Sequence, residues 1–305
     1  MNSKKVIISG SGAEALARKT AEEAGVPFGT TTLKTFSDGE TYVRIHEDVK
    51  DAEVFCFQSG QNPANTHLVQ LCMLIDAARR NGAKRVITIT PFYPYRRQDR
   101  QVEIGESVGG HVAAKCIEAA GADEVVMVDM HHARIREFFT VPVTELTAFP
   151  LFARYIKEHE DTHFMVVLAP DLGSINYAEH FMRLLHLPLI QVTKKRTAHD
   201  KAKVVNLDGD VSGKDVLIVD DEVNTAGTFL ANIDELQKRG ARSVILAVTH
   251  PVLSGAAIGR FDSSLLKKIL ITDSIPLPSE KKIPKMEVLS VAPVIADFIR
   301  TYAHR

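Results

Sequence analysis

No stretch of this chain approaches the roughly 18 consecutive apolar residues that a membrane-crossing helix needs. The opening MNSKKVIISGSGAEALA has no hydrophobic signal core either, so a cytoplasmic protein is expected. Net charge is equally scarce. Lys and Arg number 37 against 38 Asp and Glu, a formal charge of −1. That excludes general attraction to nucleic acid or to a membrane surface, and any cationic site must be local. Cysteine is rare. Cys56, Cys72 and Cys116 lie in apolar strand or helix patterns without metal-ligand spacing, so buried free thiols in a reducing compartment are expected. A Walker-type G-x-x-x-x-G-K-[ST] loop is also missing, so any nucleotide must be held by other means.

What is present is core-forming sequence. The chain has 305 residues, 45% of them hydrophobic and 25% charged, enough for two domains with sizeable cores. Apolar strand patterns cover Lys5–Ser9, Glu53–Gln58, Arg85–Thr90 and Glu124–Asp129, with helical patterns between them. The second half repeats this grammar with strands at Phe164–Ala169, Leu189–Val192, Val216–Val219 and Val244–Thr249. AARRNGAKRVITITP (Ala77–Pro91) and LQKRGARSVILAVTHP (Leu236–Pro251) both run helix, basic residue, Gly-Ala, basic residue, strand, proline. The expected fold class is therefore α/β, as two similar domains, each a mainly parallel sheet flanked by helices. An N-terminal domain over 1–146 and a C-terminal domain over 147–305 would join near Thr144–Phe149, with the last helix packing back on the N-terminal domain. Residues 193–203, TKKRTAHDKAK, read as a polar, mobile connection. After the first strand, Gly10, Gly12 and Ala15 fit G-x-G-x-x-A; a tight strand-to-helix turn needs the same glycines without a dinucleotide.

The most informative stretch is Lys214–Leu230, KDVLIVDDEVNTAGTFL. A buried strand ends in Asp220 and Asp221, and the small-residue turn Asn224-Thr225-Ala226-Gly227-Thr228 opens a helix. Ligands of open α/β sheets bind outside the carboxyl ends of strands. A Thr- and Gly-rich turn at a helix start offers amides, hydroxyls and the positive end of the dipole to a phosphate. Paired carboxylates suit sugar hydroxyls or a hydrated Mg²⁺.

Further motifs stand at other strand ends and turns: Phe36-Ser37-Asp38-Gly39-Glu40, Tyr95-Arg96-Arg97-Gln98-Asp99-Arg100, Asp129-Met130-His131-His132, Pro170-Asp171-Leu172-Gly173 and Lys194-Lys195-Arg196. Singly, each has an ordinary structural reading as a turn, a charge run or a helix cap. In this order, over nearly the whole chain, the set resembles the ribose-phosphate diphosphokinase (phosphoribosyl-diphosphate synthetase) family, and 220–228 resembles the phosphoribosyl-diphosphate loop of the phosphoribosyltransferase fold. The resemblance implies that Phe36 stacks on adenine with Asp38 and Glu40 on its polar edge. It implies that Arg97, Gln98 and His131 contact ATP, and that His131 and Asp171 help hold Mg²⁺. Asp220 and Asp221 would hold the ribose hydroxyls, Asn224 would lie near C1 of the bound ribose 5-phosphate, and Thr225, Ala226, Gly227 and Thr228 would hold the 5-phosphate. Lys194 and Arg196 would be the catalytic pair. ATP and ribose 5-phosphate would be the substrates, Mg²⁺ the cofactor. A homo-oligomer, dimer or higher, would place the ATP site at a subunit interface.

The match has departures. Asn224 stands where the loop usually has an acid, and Tyr177 where the common branch has arginine. Gln101–Val108, QVEIGESV, lacks that branch's basic residues and resembles the Gly-Glu form of archaeal-type members. These keep a non-catalytic, synthetase-like regulatory subunit open as an alternative. A transferase would not need the ATP motifs, and an oxidoreductase would not need the 220–228 loop.

Overall fold

The computed structural model describes residues 4–195, 204–261 and 265–302, with side chains omitted at 193–206. They group into two compact units, Met1–Thr147 with Ser274–Pro276 and Ser290–Arg305, and Ala148–Asp273 with Leu277–Leu289.

In the first unit the elements run β1 (Lys5–Ser9), α1 (Glu14–Ala24), β2 (Thr31–Thr35), β3 (Thr41–Ile45), β4 (Glu53–Phe57), α2 (Ala64–Arg80), β5 (Arg85–Thr90), α3 (Gly109–Ala120), β6 (Glu124–Val128) and β7 (Val143–Leu146). β1, β4, β5, β6 and β7 form one five-stranded parallel sheet in that order. β4 and β6 are buried along their whole length, as strands covered on both faces must be. β2 and β3 make a separate antiparallel hairpin. β7 occupies part of the stretch expected to be a joint; its pairing with β6 from Val125↔Val143 to Val128↔Leu146 makes it the sheet's last strand.

The second unit holds α4 (Phe149–His159), β8 (Met165–Ala169), α5 (Ile175–Leu185), β9 (Leu189–Lys195), β10 (Val204–Leu207), β11 (Asp215–Val223), α6 (Gly227–Lys238), β12 (Ser243–Pro251), β13 (Leu266–Thr272) and β14 (Met286–Leu289). Its seven-stranded sheet runs β10-β9-β8-β11-β12-β13-β14, parallel except for the antiparallel β10 and β9 pair. Both sheets lie among helices, which bears out the α/β reading. α7 (Ala292–Thr301) belongs to the first unit. There Lys5 Nζ donates to the carbonyls of Ile299 (2.6 Å) and Tyr302 (3.1 Å), and the Tyr302 hydroxyl donates to Glu124 (3.1 Å).

One expectation needs correction. Cys56 is buried and Cys72 partly so, but Cys116 is exposed; its helical position faces away from the sheet, where Ala113, Ala114 and Ile117 are buried instead. The glycine turn after β1 is a tight strand-to-helix turn, as expected, and it has a specific cause. A Cβ on Gly10 would stand 2.4 Å from the Gln58 side chain, and Gly12 N donates to Gln58 Oε1 at 2.8 Å. Gln61 Nε2 donates to Gly12 O at 3.0 Å and Ser11 to Gln70 at 2.7 Å. The space before this turn is filled by the unit's own glutamines, which explains the glycines without a dinucleotide.

Candidate active site

The strand order of the second sheet creates a switch point. From β8 the chain builds outward through β9 and β10, whereas from β11 it builds the other way through β12, β13 and β14. Connections that depart in opposite directions leave a crevice outside the carboxyl ends of the two central strands. β11 pairs with β8 only as far as Ile218↔Leu168, but with β12 as far as Val223↔Pro251. The strand expected to end at Val219 therefore continues, and Asp220 and Asp221 lie within it, beyond the end of its β8 pairing.

The turn after β8 brings a third carboxylate there. Asp171 Oδ1 accepts from the backbone N–H groups of Gly173 (3.0 Å) and Ser174 (3.2 Å), which closes the turn into α5. The Ser174 hydroxyl, almost fully buried, is 3.0 Å from Asp171 Oδ1 and 3.0 Å from Asp220 Oδ1. Asp220 Oδ1 also accepts from Asp221 N at 2.9 Å. Burial of its carboxylate, the charge of Asp221 and that of Asp171 push the Asp220 carboxyl well above its ordinary range. A group so placed favours a ligand that brings donors or positive charge.

Directly behind, Ala226 takes a left-handed conformation (φ 62°) as the cap of α6. Thr225, Gly227 and Thr228 are exposed, Asn224 is half-buried and Ala226 buried. First-turn amides of α6 have no helical acceptor, so the loop can receive an anion. The side-chain oxygen of Asn224 accepts from the Ser254 hydroxyl. Tyr177 lies in an aromatic cluster, its ring 5.0 Å from that of Phe149.

In the first unit, Arg97 and Gln98 follow β5 and His131 follows the adjacent β6, all exposed at the carboxyl end of one sheet. Asp99 ties the two loops, with Arg134 at 3.5 Å and His132 Nδ1 at 4.0 Å from its carboxylate. Asp129 turns the chain out of β6 with φ 40°. Phe36, Asp38 and Glu40 are on a different element, the exposed tip of the β2–β3 hairpin. There Phe36 N donates to Glu40 O (2.8 Å), Gly39 N to Phe36 O (2.9 Å) and Glu40 N to Asp38 Oδ1 (3.1 Å). The Phe36 ring is half-exposed and meets Tyr42 edge-on, with centroids 5.8 Å apart. Arg196 and the side chain of Lys194 lie outside the described residues.

Ser174, Asp99, Ser254 and Arg260 were not singled out in the sequence. A serine three residues after Asp171 is a capping signal in hindsight; the others are set by contacts distant in the chain. Among the described residues, no group of three or more His, Cys, Asp or Glu could hold a metal ion. The hard oxygens of Asp171 and Asp220 fit instead a cation that keeps its waters and phosphate ligands, as Mg²⁺ does. No described helix is long and apolar enough to cross a membrane.

Comparisons with known proteins identify the family. Residues 5–121 match the family model for the N-terminal domain of ribose phosphate pyrophosphokinase, and 185–305 the phosphoribosyl synthetase-associated domain. The ribose-phosphate pyrophosphokinase of Caldanaerobacter subterraneus subsp. tengcongensis is 41% identical, over 96% of this chain and 93% of that protein. The enzyme of the same name from Helicobacter hepaticus is 39% identical, over 98% and 96%. The crystal structure of phosphoribosylpyrophosphate synthetase from Mycobacterium smegmatis superposes with a TM-score of 0.91 at 35% identity, covering 97% of this chain and 98% of that one. With near-complete coverage at such identity, the chain belongs to the ribose-phosphate pyrophosphokinase family.

Proposed function

We propose that this enzyme transfers the diphosphoryl group of MgATP to the C1 hydroxyl of ribose 5-phosphate, giving phosphoribosyl diphosphate and AMP, and that its second unit holds the sugar. The observation that carries the assignment of the sugar is the crevice at the β8/β11 switch point, where Asp171, Ser174 and Asp220 converge beside the loop opening α6. Asp220 and Asp221 accept from the ribose hydroxyls, and the 225–228 amides and hydroxyls receive the 5-phosphate. Arg97, Gln98 and His131 hold the nucleotide's phosphates, and Phe36 stacks on adenine.

The C1 hydroxyl oxygen attacks the β-phosphorus and gives up its proton to water, while the bond from that phosphorus to the oxygen shared with the α-phosphorus breaks and that oxygen leaves on AMP. Negative charge grows on the leaving oxygen, so Lys194 and Arg196 stabilise the transition state more than the ground state. Asn224 is an amide, so no carboxylate from this position can take the hydroxyl proton. Mg²⁺, carried with ATP, would neutralise phosphate charge, and Asp171 would offer it a hard oxygen ligand. The exposed Phe36 hairpin supports an ATP site completed by a second subunit of a cytoplasmic homo-oligomer.

The test is incubation with ribose 5-phosphate and MgATP, with AMP and phosphoribosyl diphosphate measured as equimolar products. Binding of both substrates without AMP would make the chain a regulatory subunit and overturn the reading.

A further inference from the structure

The loop that opens α6 does not hold its own shape. Three successive carbonyls, of Val223, Asn224 and Thr225, each accept from one distant segment: from Leu253 N (3.0 Å), Ser254 N (3.0 Å) and Arg260 Nη1 (2.9 Å). The Ser254 hydroxyl adds a bond to the Asn224 side chain. A loop that binds an anion through amides must turn its carbonyls away, because their dipoles oppose the charge. Here a second segment supplies the donors that keep them turned. Ala226 needs such support, since a residue with a Cβ rarely stays at φ 62° unless its neighbours fix it.

The bracing segment is itself anchored. Leu253 is fully buried at φ 48°, and its carbonyl accepts from Lys281 Nζ at 2.9 Å. Ala257 and Phe261 are buried on either side of Ile258, and Arg260 N donates to Ala257 O at 3.1 Å. Arg260 reaches out from this base. Its Nη1 lies 3.9 Å from where a Cβ on Gly227 would stand, so a fixed positive charge lies against the anion loop.

We propose that Ser254 and Arg260 are positioning residues for the sugar-phosphate loop: Ser254 fixes Asn224 through its amide and hydroxyl, and Arg260 holds the Thr225 carbonyl outward and adds one cation that the loop motif itself lacks. This rests on the reading of 225–228 as the 5-phosphate loop. The brace fixes the ground-state shape of the site, so its loss is felt in the affinity for ribose 5-phosphate and not in that for ATP.

The test is steady-state kinetics on the full chain for wild type, Ser254→Ala, Arg260→Ala and Arg260→Lys, with each substrate varied in turn. Calorimetric titration with ribose 5-phosphate and thermal melts accompany it. Arg260→Ala should raise the KM and Kd for ribose 5-phosphate roughly tenfold, the scale of one charge-assisted hydrogen bond. Its KM for ATP should stay within about twofold and its melting temperature unchanged, because the side chain is exposed. Arg260→Lys should recover most of the affinity, since lysine still donates to the Thr225 carbonyl and keeps the charge. Unchanged affinity for ribose 5-phosphate in both alanine variants would overturn the proposal, as would equal losses for both substrates with a lowered melting temperature. A wild type that binds ribose 5-phosphate but makes no product would defeat the catalytic reading alone, and the titrations would still decide the brace. A wild type that does not bind the sugar phosphate would sink both.

Discussion

The hydroxyl of Ser174 stands 3.0 Å from Oδ1 of Asp220 while also 3.0 Å from Oδ1 of Asp171. One hydroxyl has one proton to donate, so it serves one carboxylate at a time and fixes the spacing of both. Ser174→Ala should raise the KM for ribose 5-phosphate roughly 5- to 10-fold, as for one lost hydrogen bond, with the KM for ATP unchanged. A larger change in ATP affinity would mean that this crevice holds the nucleotide.

Asp220 should trade stability for binding. Its carboxyl is raised by burial and by the charges of Asp221 and Asp171, so the folded state holds its proton more tightly than the unfolded chain does. The resulting stability is fully present below the unfolded value and is lost as pH rises through the folded one. Asp220→Asn should therefore melt higher than wild type near neutral pH, by roughly 2–4 °C for each kcal/mol relieved. The same variant should bind ribose 5-phosphate more weakly. Melts of the unliganded proteins across pH decide it, and a lower melting temperature for the variant at neutral pH contradicts the account.

Glu160 should behave in the opposite sense. Burial alone would raise its carboxyl, but hydrogen bonds and charge from Lys267 and Lys268 outweigh it and leave it below the ordinary range. Lys268 Nζ is 2.8 Å away, and the Glu160 side chain is 2% exposed. Its contribution is present above the unfolded value and lost as pH falls through the lowered folded one. Glu160→Gln should cost about 1–3 kcal/mol in urea unfolding at neutral pH and make the remaining acid lability shallower. An unchanged midpoint would show the two lysines to be no more than a screened surface pair.

Lys194→Ala and Arg196→Ala should act on turnover. Cations that meet the developing charge lower kcat when removed, by roughly 10²–10³-fold on the scale of a lost oxyanion donor, with smaller effects on ATP binding. Single-turnover rates and nucleotide binding measured side by side test this. A pure loss of ATP affinity with kcat intact would reassign the pair to binding.

Control by ADP should be simple competition. In the 101–108 segment the Glu106 carboxylate accepts from Val102 N (2.8 Å) and Glu103 N (3.0 Å), folding the loop on itself. The only charges it carries are acidic, and a dianion needs charge-assisted donors to replace its water. ADP should inhibit by displacing ATP, and inorganic phosphate should be dispensable as an activator. Inhibition that persists at saturating ATP and is relieved by phosphate would require a separate anion site.

Much of this was legible in the sequence, for local reasons. Val216–Val219 announces a doubly buried strand because β-branched residues in an unbroken run have no solvent face to offer. Thr225–Thr228 announces a tight turn into a helix because small residues there leave the first-turn amides uncovered. Less legible was where β11 ends. Asp220 and Asp221 look like a terminus, yet they stay in strand conformation because β12 continues beside them to Pro251, and that partner lies some thirty residues on.

By itself the sequence determined the alternation of strands and helices and the family, because periodicity and short motifs are properties of neighbouring residues. Tertiary structure alone decided that β8 and β11 lie side by side, since strand order is set by which hydrophobic faces pack together across the chain. From that adjacency come the meeting of Asp171 and Asp220 on Ser174 and the burial that raises the Asp220 carboxyl. The brace of Ser254 and Arg260 behind the 224–228 loop arises in the same way, through hydrogen bonds between segments about thirty residues apart that no local pattern encodes.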